Sequence, residues 1–220
     1  MKQSLLPGRT RMGITRALAG LLASIYVSSV FAFMPFTIPP NRDPKMTPSL
    51  NPKFSLEINP EHNPQINPKF NTAINPAFKN SINPRFNQAI NPKVNSTLNP
   101  KFNPALDPKF NAALDPKFNP VLNPFASPLA GPPRNQWSVL FVFNTMSEPT
   151  GVAIQAGNGY LLFSVNDEEY DWKGYFISNG ADGYNGFSLD GEWQTYLLKS
   201  STPHGYNLFT RDGDWLGFLN

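Results

Sequence analysis

The sequence GYNLFTRDGDWLGFL, residues 205–219, decides the fold class of the C-terminal part of this chain. Apolar runs flank an Asp-Gly pair on both sides, a pattern that is typical of a tight β-hairpin. A two-residue loop at Asp212-Gly213 predicts the cross-strand pairs Thr210–Trp215, Leu208–Gly217 and Tyr206–Leu219. One face of the hairpin then holds only uncharged residues, and we predict that this face is the core face: Tyr206, Leu208, Trp215 and Leu219.

The same pattern occurs in two further hairpins upstream, each with Gly-Tyr-x-x-Phe before a turn and Trp after it. Together they make a repeat of about 22 residues. Short aromatic and β-branched runs predict eight strands, at 137–143, 151–155, 160–165, 171–177, 184–189, 192–198, 205–210 and 214–219. We therefore predict an all-β module over 135–220, built of hairpin repeats as an antiparallel meander, a small barrel or a sandwich.

The aromatic residues of this module are the candidate ligand-binding residues. The Gly-aromatic and Gly-x-Trp spacing resembles the choline-binding repeats of cell-wall proteins, whose rings cage a ligand, but the paired Trp-Tyr-Tyr runs of that family are missing. No residue role is therefore carried over. Two interpretations stay open, rings that pack the core and rings that form a platform for a carbohydrate or another partner: Trp172, Trp193, Trp215, Tyr184 and Tyr206.

Each hairpin turn carries two acidic residues just before its tryptophan, at Glu169/Asp171, Asp190/Glu192 and Asp212/Asp214. Carboxylates at this spacing could contribute to a calcium site, although turn chemistry and solubility also account for them. We expect no cofactor. The chain has no cysteine and only two histidines, and no nucleophile or zinc motif occurs in it, so we do not expect an enzyme.

Residues 43–122 are ten consecutive octapeptides. Their first position is always Asn or Asp, the second always Pro and the eighth always Ile or Leu. A continuous α-helix is excluded, because a proline in every octad would remove a backbone donor and clash with the preceding turn. The Asn-Pro pair is similar to the Asn-Pro turn repeats of malarial sporozoite surface proteins, in that pair only. Two structures stay open for the octads, an extended spacer and a thin solenoid of turns.

Charge is distributed unevenly along the chain. Residues 33–134 hold eleven basic and five acidic side chains, and residues 135–220 hold three basic and ten acidic ones. The two parts are therefore of opposite sign and should attract each other at low salt. The acidic C-terminal part argues against nucleic acid as a partner.

The N-terminus has the organisation of an export signal, with a basic start, an apolar stretch from Ala17 and small residues ending at Ala32. We predict a signal peptide at 1–32, a linker at 33–42 and a hinge at 123–134. An uncleaved signal anchor is the alternative, in which residues 17–38 would be the membrane contact. In both cases the remainder of the chain lies outside the cytoplasm, secreted or in the cell envelope.

These features predict an exported surface protein in which a repeat stalk presents a small β module for binding or adhesion. Its expected partner is a carbohydrate or an envelope polymer. The main alternative is a structural protein that self-associates through its repeats, or lies on the envelope, with the β module as a cap. A small glycan-active enzyme is a third and weaker alternative.

Overall fold

The computed structural model describes residues 38–119, 121–122, 138–165, 170–200 and 205–220. The predicted signal at 1–32, the first part of the linker and the hinge at 123–134 lie outside these residues. Residues 35–220 form one compact unit. Within the described part of the chain, no helix has both the length and the apolar character needed to cross a membrane.

The C-terminal part is a closed antiparallel barrel of eight strands in chain order, with the last strand paired to the first. The prediction of an all-β hairpin module is thereby confirmed. Of the three predicted architectures, the structure has the barrel. The strands are β1 Val139–Asn144, β2 Pro149–Ala156, β3 Gly159–Ser164, β4 Trp172–Ser178, β5 Gly183–Phe187, β6 Trp193–Lys199, β7 Tyr206–Thr210 and β8 Trp215–Leu219.

Four similar hairpins build the barrel, one more than the sequence pattern predicts. Each has a β-bulge at the same place, beside Phe143, Phe163, Phe187 and Phe209. In three hairpins the residue that pairs with this phenylalanine is Trp, and in the first hairpin it is Pro149. The missing tryptophan hides the first repeat in the sequence.

The predicted register of the last hairpin is right at its open end and wrong near its turn. Leu208 pairs with Gly217, and Tyr206 pairs with Leu219, as predicted. Trp215, however, pairs with Phe209 instead of Thr210. The loop has three residues, because the Gly213 N–H bonds to the Thr210 carbonyl and Gly213 adopts a φ of +91°. The bulge then turns Trp215 to the opposite face of the sheet.

Side chains alternate between the lumen of the barrel and its outer face. The lumen holds Leu140, Val142, Ala153, Tyr160, Leu162, Phe176, Tyr184, Leu197, Tyr206, Leu208 and Leu219. Gly186 leaves room there, since a Cβ atom on it would lie 2.7 Å from a carbon of the Phe176 ring. The predicted core face of the last hairpin is therefore the lumen face, without Trp215.

The outer face of the barrel is also apolar and buried. It includes Phe141, Phe143, Val152, Ile154, Tyr175, Phe187, Tyr196, Phe209 and Phe218. Aromatic rings stack across neighbouring strands on this face, as in the pairs Phe143–Phe218 and Tyr196–Phe209. A second layer must cover such a surface, and the octads supply it.

Every octad begins with the same local turn. In all ten, the side-chain oxygen of the first residue accepts a hydrogen bond from the backbone N–H of the third. In six, the side-chain amide of the same Asn donates to the proline carbonyl of the preceding octad. Short 3₁₀ turns complete the pattern at Pro40–Arg42, Pro48–Leu50, Leu56–Ile58, Gln88–Ile90, Ser96–Leu98, Pro104–Leu106, Ala112–Leu114 and Pro116–Phe118. The described octads are turns and do not form an extended rod.

These octads, which we call the sleeve (residues 43–122), run around the barrel against the order of its strands. The contacts along the chain are Arg42–Asn220, Asn51–Ser147, Lys69–Asp214, Ile82–Asn185, Lys93–Glu192 and Leu106–Gly157, and Ala112–Leu114 then lies on β2. The sleeve therefore begins beside β8 and β1 and ends beside β2.

The eighth position of the octad faces the barrel. Ile82 is only 5% exposed, and Ile58, Ile90, Leu114 and Leu122 are also buried. The fourth position faces away, and Phe86 in the next octad is 65% exposed.

We predict that Ile82→Ala lowers the free energy of unfolding by about 2 kcal/mol, because it leaves a cavity between sleeve and barrel. Phe86→Ala is the matched control and should change it by less than about 0.5 kcal/mol, since an exposed ring makes few contacts. Urea denaturation of both variants measures the difference. Equal losses would show that the sleeve does not pack through its eighth position.

Candidate functional site

The tryptophans predicted as ligand residues lie on the outer face of the barrel and are half-buried. Trp172 and Trp193 each donate an indole N–H to a backbone carbonyl two residues later, at 2.9 Å. Trp193 and Trp215 pack against the same buried cluster as Ile74 of the sleeve. The rings therefore fill the layer between sleeve and barrel, and their role in binding a ligand stays a prediction.

The tyrosines predicted with them lie in the lumen, at the opposite end of the barrel. Tyr184 is in edge-to-face contact with both Tyr160 and Tyr206, with ring centroids 5.3 and 5.4 Å apart. Burial, followed by the neighbouring tyrosines, raises the pKa of Tyr184 above its usual range. The structure thus separates the five predicted ligand residues into two groups at opposite ends.

Three acidic residues of the turns are paired with lysines. Lys93 bonds to Glu192 and Lys69 bonds to Asp214, so that two turns hold the sleeve. Lys173 pairs with Asp171 at 2.8 Å. Among the described residues no cluster of three or more His, Cys, Asp or Glu could hold a metal ion. The weak calcium candidates Asp190, Glu192, Asp212 and Asp214 therefore gain no support.

The exposed aromatic residues are those of the sleeve, and sequence reasoning did not identify them as the site. At the fourth position of the octad, seven phenylalanines are between 52% and 76% exposed, and Met46 and Val94 are also exposed. We call this row the crown: Met46, Phe54, Phe70, Phe78, Phe86, Val94, Phe102, Phe110 and Phe118. A basic residue directly precedes position four in eight octads and never precedes position eight. This difference was the sequence signal for the exposed position.

Part of the crown lies at the level of one end of the barrel. Lys69 contacts the β7–β8 turn and Lys93 contacts the β5–β6 turn. Asn51 bonds to Ser147 beside the β1–β2 turn. All three turns are at the same end of an antiparallel meander. Because consecutive Cα atoms are about 3.8 Å apart, the crown residues beside these lysines lie at that end too.

Basic residues alternate with the crown. The third position of the octad is Lys or Arg in eight of the ten octads: Lys45, Lys53, Lys69, Arg85, Lys93, Lys101, Lys109 and Lys117. Two octads depart from the pattern, one with Glu61 and His62 at positions three and four and one with Ala77 at position three. Two of the acidic turns of the barrel contact these basic residues, through the pairs Lys69–Asp214 and Lys93–Glu192.

Between sleeve and barrel, at the opposite end, lies an open cavity of about 230 Å³. Leu98 and Leu106 line it on the sleeve side, and Gly157, Tyr160 and Ile177 line it on the barrel side. No charged residue lines this cavity.

Two buried tyrosines carry hydroxyl groups that have no hydrogen-bond partner among the described residues, Tyr175 and Tyr196. Each hydroxyl lies under the glycine of the next hairpin turn, 3.5 Å from the position that a Cβ atom would take on Gly191 or Gly213. Burial raises the pKa of both phenols.

We predict that the double variant Tyr175→Phe, Tyr196→Phe keeps its stability at pH 8, because replacing an unpartnered buried hydroxyl costs little. A phenol pKa that is higher in the folded state stabilises the fold below about pH 10, and this contribution is lost as the pH rises through the folded pKa. The wild-type chain should therefore lose more stability between pH 9 and pH 11 than the double variant. Urea denaturation across that range measures both losses, and identical pH profiles would contradict the assignment.

No protein-family model, curated protein or solved structure matches this chain. Its function must follow from the geometry of its own residues.

Proposed function

We propose that this chain is an exported surface-binding protein whose crown is the contact surface. The sleeve acts as a thin turn solenoid that is held on the barrel, and the barrel fixes the relative positions of the crown residues. The observation that carries this proposal is the exposure of phenylalanine at the same octad position in seven of the ten repeats.

The amount of exposed aromatic surface supports a binding role. A phenylalanine side chain can bury about 150–250 Å², so seven rings exposed by more than half present roughly 900 Å². Monomeric soluble proteins rarely show contiguous apolar patches larger than a few hundred Å². The crown is a row with polar residues between its members, and its total apolar area suits a partner that can contact many points together.

Packing does not explain the phenylalanines. Ile and Leu at position eight cover the barrel, and Asn at position one joins neighbouring octads. A serine at position four would leave both sets of contacts in place. The recurrence of an aromatic ring at an exposed position therefore favours a role in recognition.

The proposed location is the cell surface or envelope, since the basic and apolar N-terminal segment is typical of an export signal. Binding is favoured over catalysis, because Glu192 and Asp214 are engaged by lysines of the sleeve. The sleeve contacts the barrel along its length, so the repeats are proposed as the contact surface and not as a stalk that gives distance.

Self-association through the repeats is the second candidate. It is favoured by the recurrence of an exposed apolar side chain in nine of the ten octads, which would give a second copy many equivalent contacts. Sedimentation over a range of concentrations distinguishes it, since self-association predicts larger species as concentration rises.

We expect the double variant Phe70→Ser, Phe110→Ser to bind isolated cell envelopes of its host about 100-fold more weakly than the wild-type chain. Each ring that is lost should cost about tenfold, because burying one phenylalanine contributes about 1.5 kcal/mol or more. Cosedimentation with envelopes measures the apparent affinity.

The control is Leu56→Ser, which removes an exposed leucine of the repeats outside the crown. It should bind like the wild type. If the double phenylalanine variant also binds like the wild type, the crown is not the contact surface.

A further inference from the structure

We infer that the crown binds the surface of an anionic phospholipid bilayer, an inference that rests on the proposed function and names its partner. Six of the seven crown phenylalanines directly follow Lys or Arg, and the seventh, Phe78, directly precedes Lys79. An apolar ring can enter the boundary between headgroups and acyl chains while the adjacent ammonium group stays at the phosphates. The repeats place this pair of groups at the bilayer surface many times.

The chemistry of the pairs favours a lipid over a protein partner. Lysine is depleted in protein–protein interfaces, whereas seven of the eight basic residues at position three are lysines. Phenylalanine also lacks the polar tip with which Trp and Tyr bond to a polar partner. Basic segments next to apolar anchors are attracted to anionic lipids, and each cation near the surface adds to the attraction.

The arrangement of the crown suits a flat surface. Contacts of Asn51, Lys69 and Lys93 with three turns place the nearby crown residues Phe54, Phe70 and Val94 at one end of the barrel, on different sides of it. A bilayer can contact such residues at several points together, whereas a narrow peptide ligand could not.

The acidic residues at the same end restrict which part of the protein can approach the bilayer. Glu192, Asp214 and Asp171 are paired with lysines, and Glu148, Asp190 and Asp212 lie on turns at this end of the barrel. These carboxylates oppose close approach of the barrel end to phosphate groups, and Glu61 does the same at one octad. The contact is therefore confined to the crown, where Lys and Phe alternate.

The test places a fluorescent reporter at single positions of the full chain, as Phe70→Trp, Phe110→Trp and, outside the crown, Leu56→Trp. The vesicles are phosphatidylcholine with about one third phosphatidylglycerol, and their acyl chains carry bromine, which quenches tryptophan on contact. The signal of the wild-type chain, which comes from its four native tryptophans, is subtracted, and the Leu56→Trp reporter controls for attachment through residues 17–38. The two crown reporters should lose about half of their fluorescence, because an interfacial ring lies about 5–10 Å below the surface, and the Leu56→Trp reporter should lose much less.

A charge variant tests the second half of the pair. The triple variant Lys53→Gln, Lys101→Gln, Lys109→Gln should need more lipid for half-maximal quenching of the Phe70→Trp reporter. The required lipid concentration should rise about fivefold for each lysine removed. Omission of phosphatidylglycerol, or addition of high salt, should also raise the lipid concentration needed for quenching.

The outcomes separate this inference from the function that it rests on. If the crown reporters are not quenched while Phe70→Ser, Phe110→Ser still loses envelope binding, the membrane inference is overturned and a polymer or a second copy is the partner. If the fluorescence of the crown reporters shifts with protein concentration in the absence of lipid, and brominated lipid does not quench it, self-association replaces membrane binding. If quenching is absent and the serine variant binds envelopes normally, both proposals fail.

Discussion

The apolar outer face of the barrel is the constraint on which the structure depends. A small closed barrel usually needs only one buried face, the one in its lumen. Here Phe141, Phe209 and Phe218 lie on the other face and are equally buried, because Ile and Leu of the octads cover them. Neither part can be complete alone, since the octads contribute no sheet of their own and the barrel would expose its aromatic rings to water.

Short-range hydrogen bonds determine how the sleeve can follow a curved surface. The first side chain of each octad closes its own turn, and in several octads it also reaches the proline carbonyl seven residues earlier. These bonds join neighbouring octads without the stiffness of a helix. The difference in charge between the two parts of the chain is expressed locally, in ion pairs such as that between Lys69 and Asp214. Such exposed pairs contribute little energy, so apolar packing is the main attachment.

Much of the barrel could be predicted from the sequence because hairpin information is local. Asp-Gly turns and alternating apolar residues locate the strands, and the pairs Leu208–Gly217 and Tyr206–Leu219 follow from them. The position of Trp215 could not be predicted, since a type I turn with a bulge and a tighter two-residue turn accept the same residues. The first hairpin is hidden because Pro149 takes the place of a tryptophan.

The candidate site was harder to predict, because exposure is a property of the assembled layers. Sequence patterns favour Trp over Phe as a ligand-binding residue, and the structure instead half-buries Trp193 while it exposes Phe70. The octad pattern contains two apolar positions, position eight in all ten octads and position four in nine. Only the presence of the barrel determines that position eight is covered and position four is left open.

The path of the sleeve also has a consequence for the number of octads. Neighbouring hairpin turns are reached after two octads between Asn51 and Lys69, and after three between Lys69 and Lys93. Ten octads on four hairpins correspond to this alternation. In an open repeat array, unequal crossing-over can add or delete a unit freely. Here the circumference of the barrel sets the number of units. A chain with eleven octads would have to bulge away from the barrel, and a chain with only nine would leave part of the outer face uncovered.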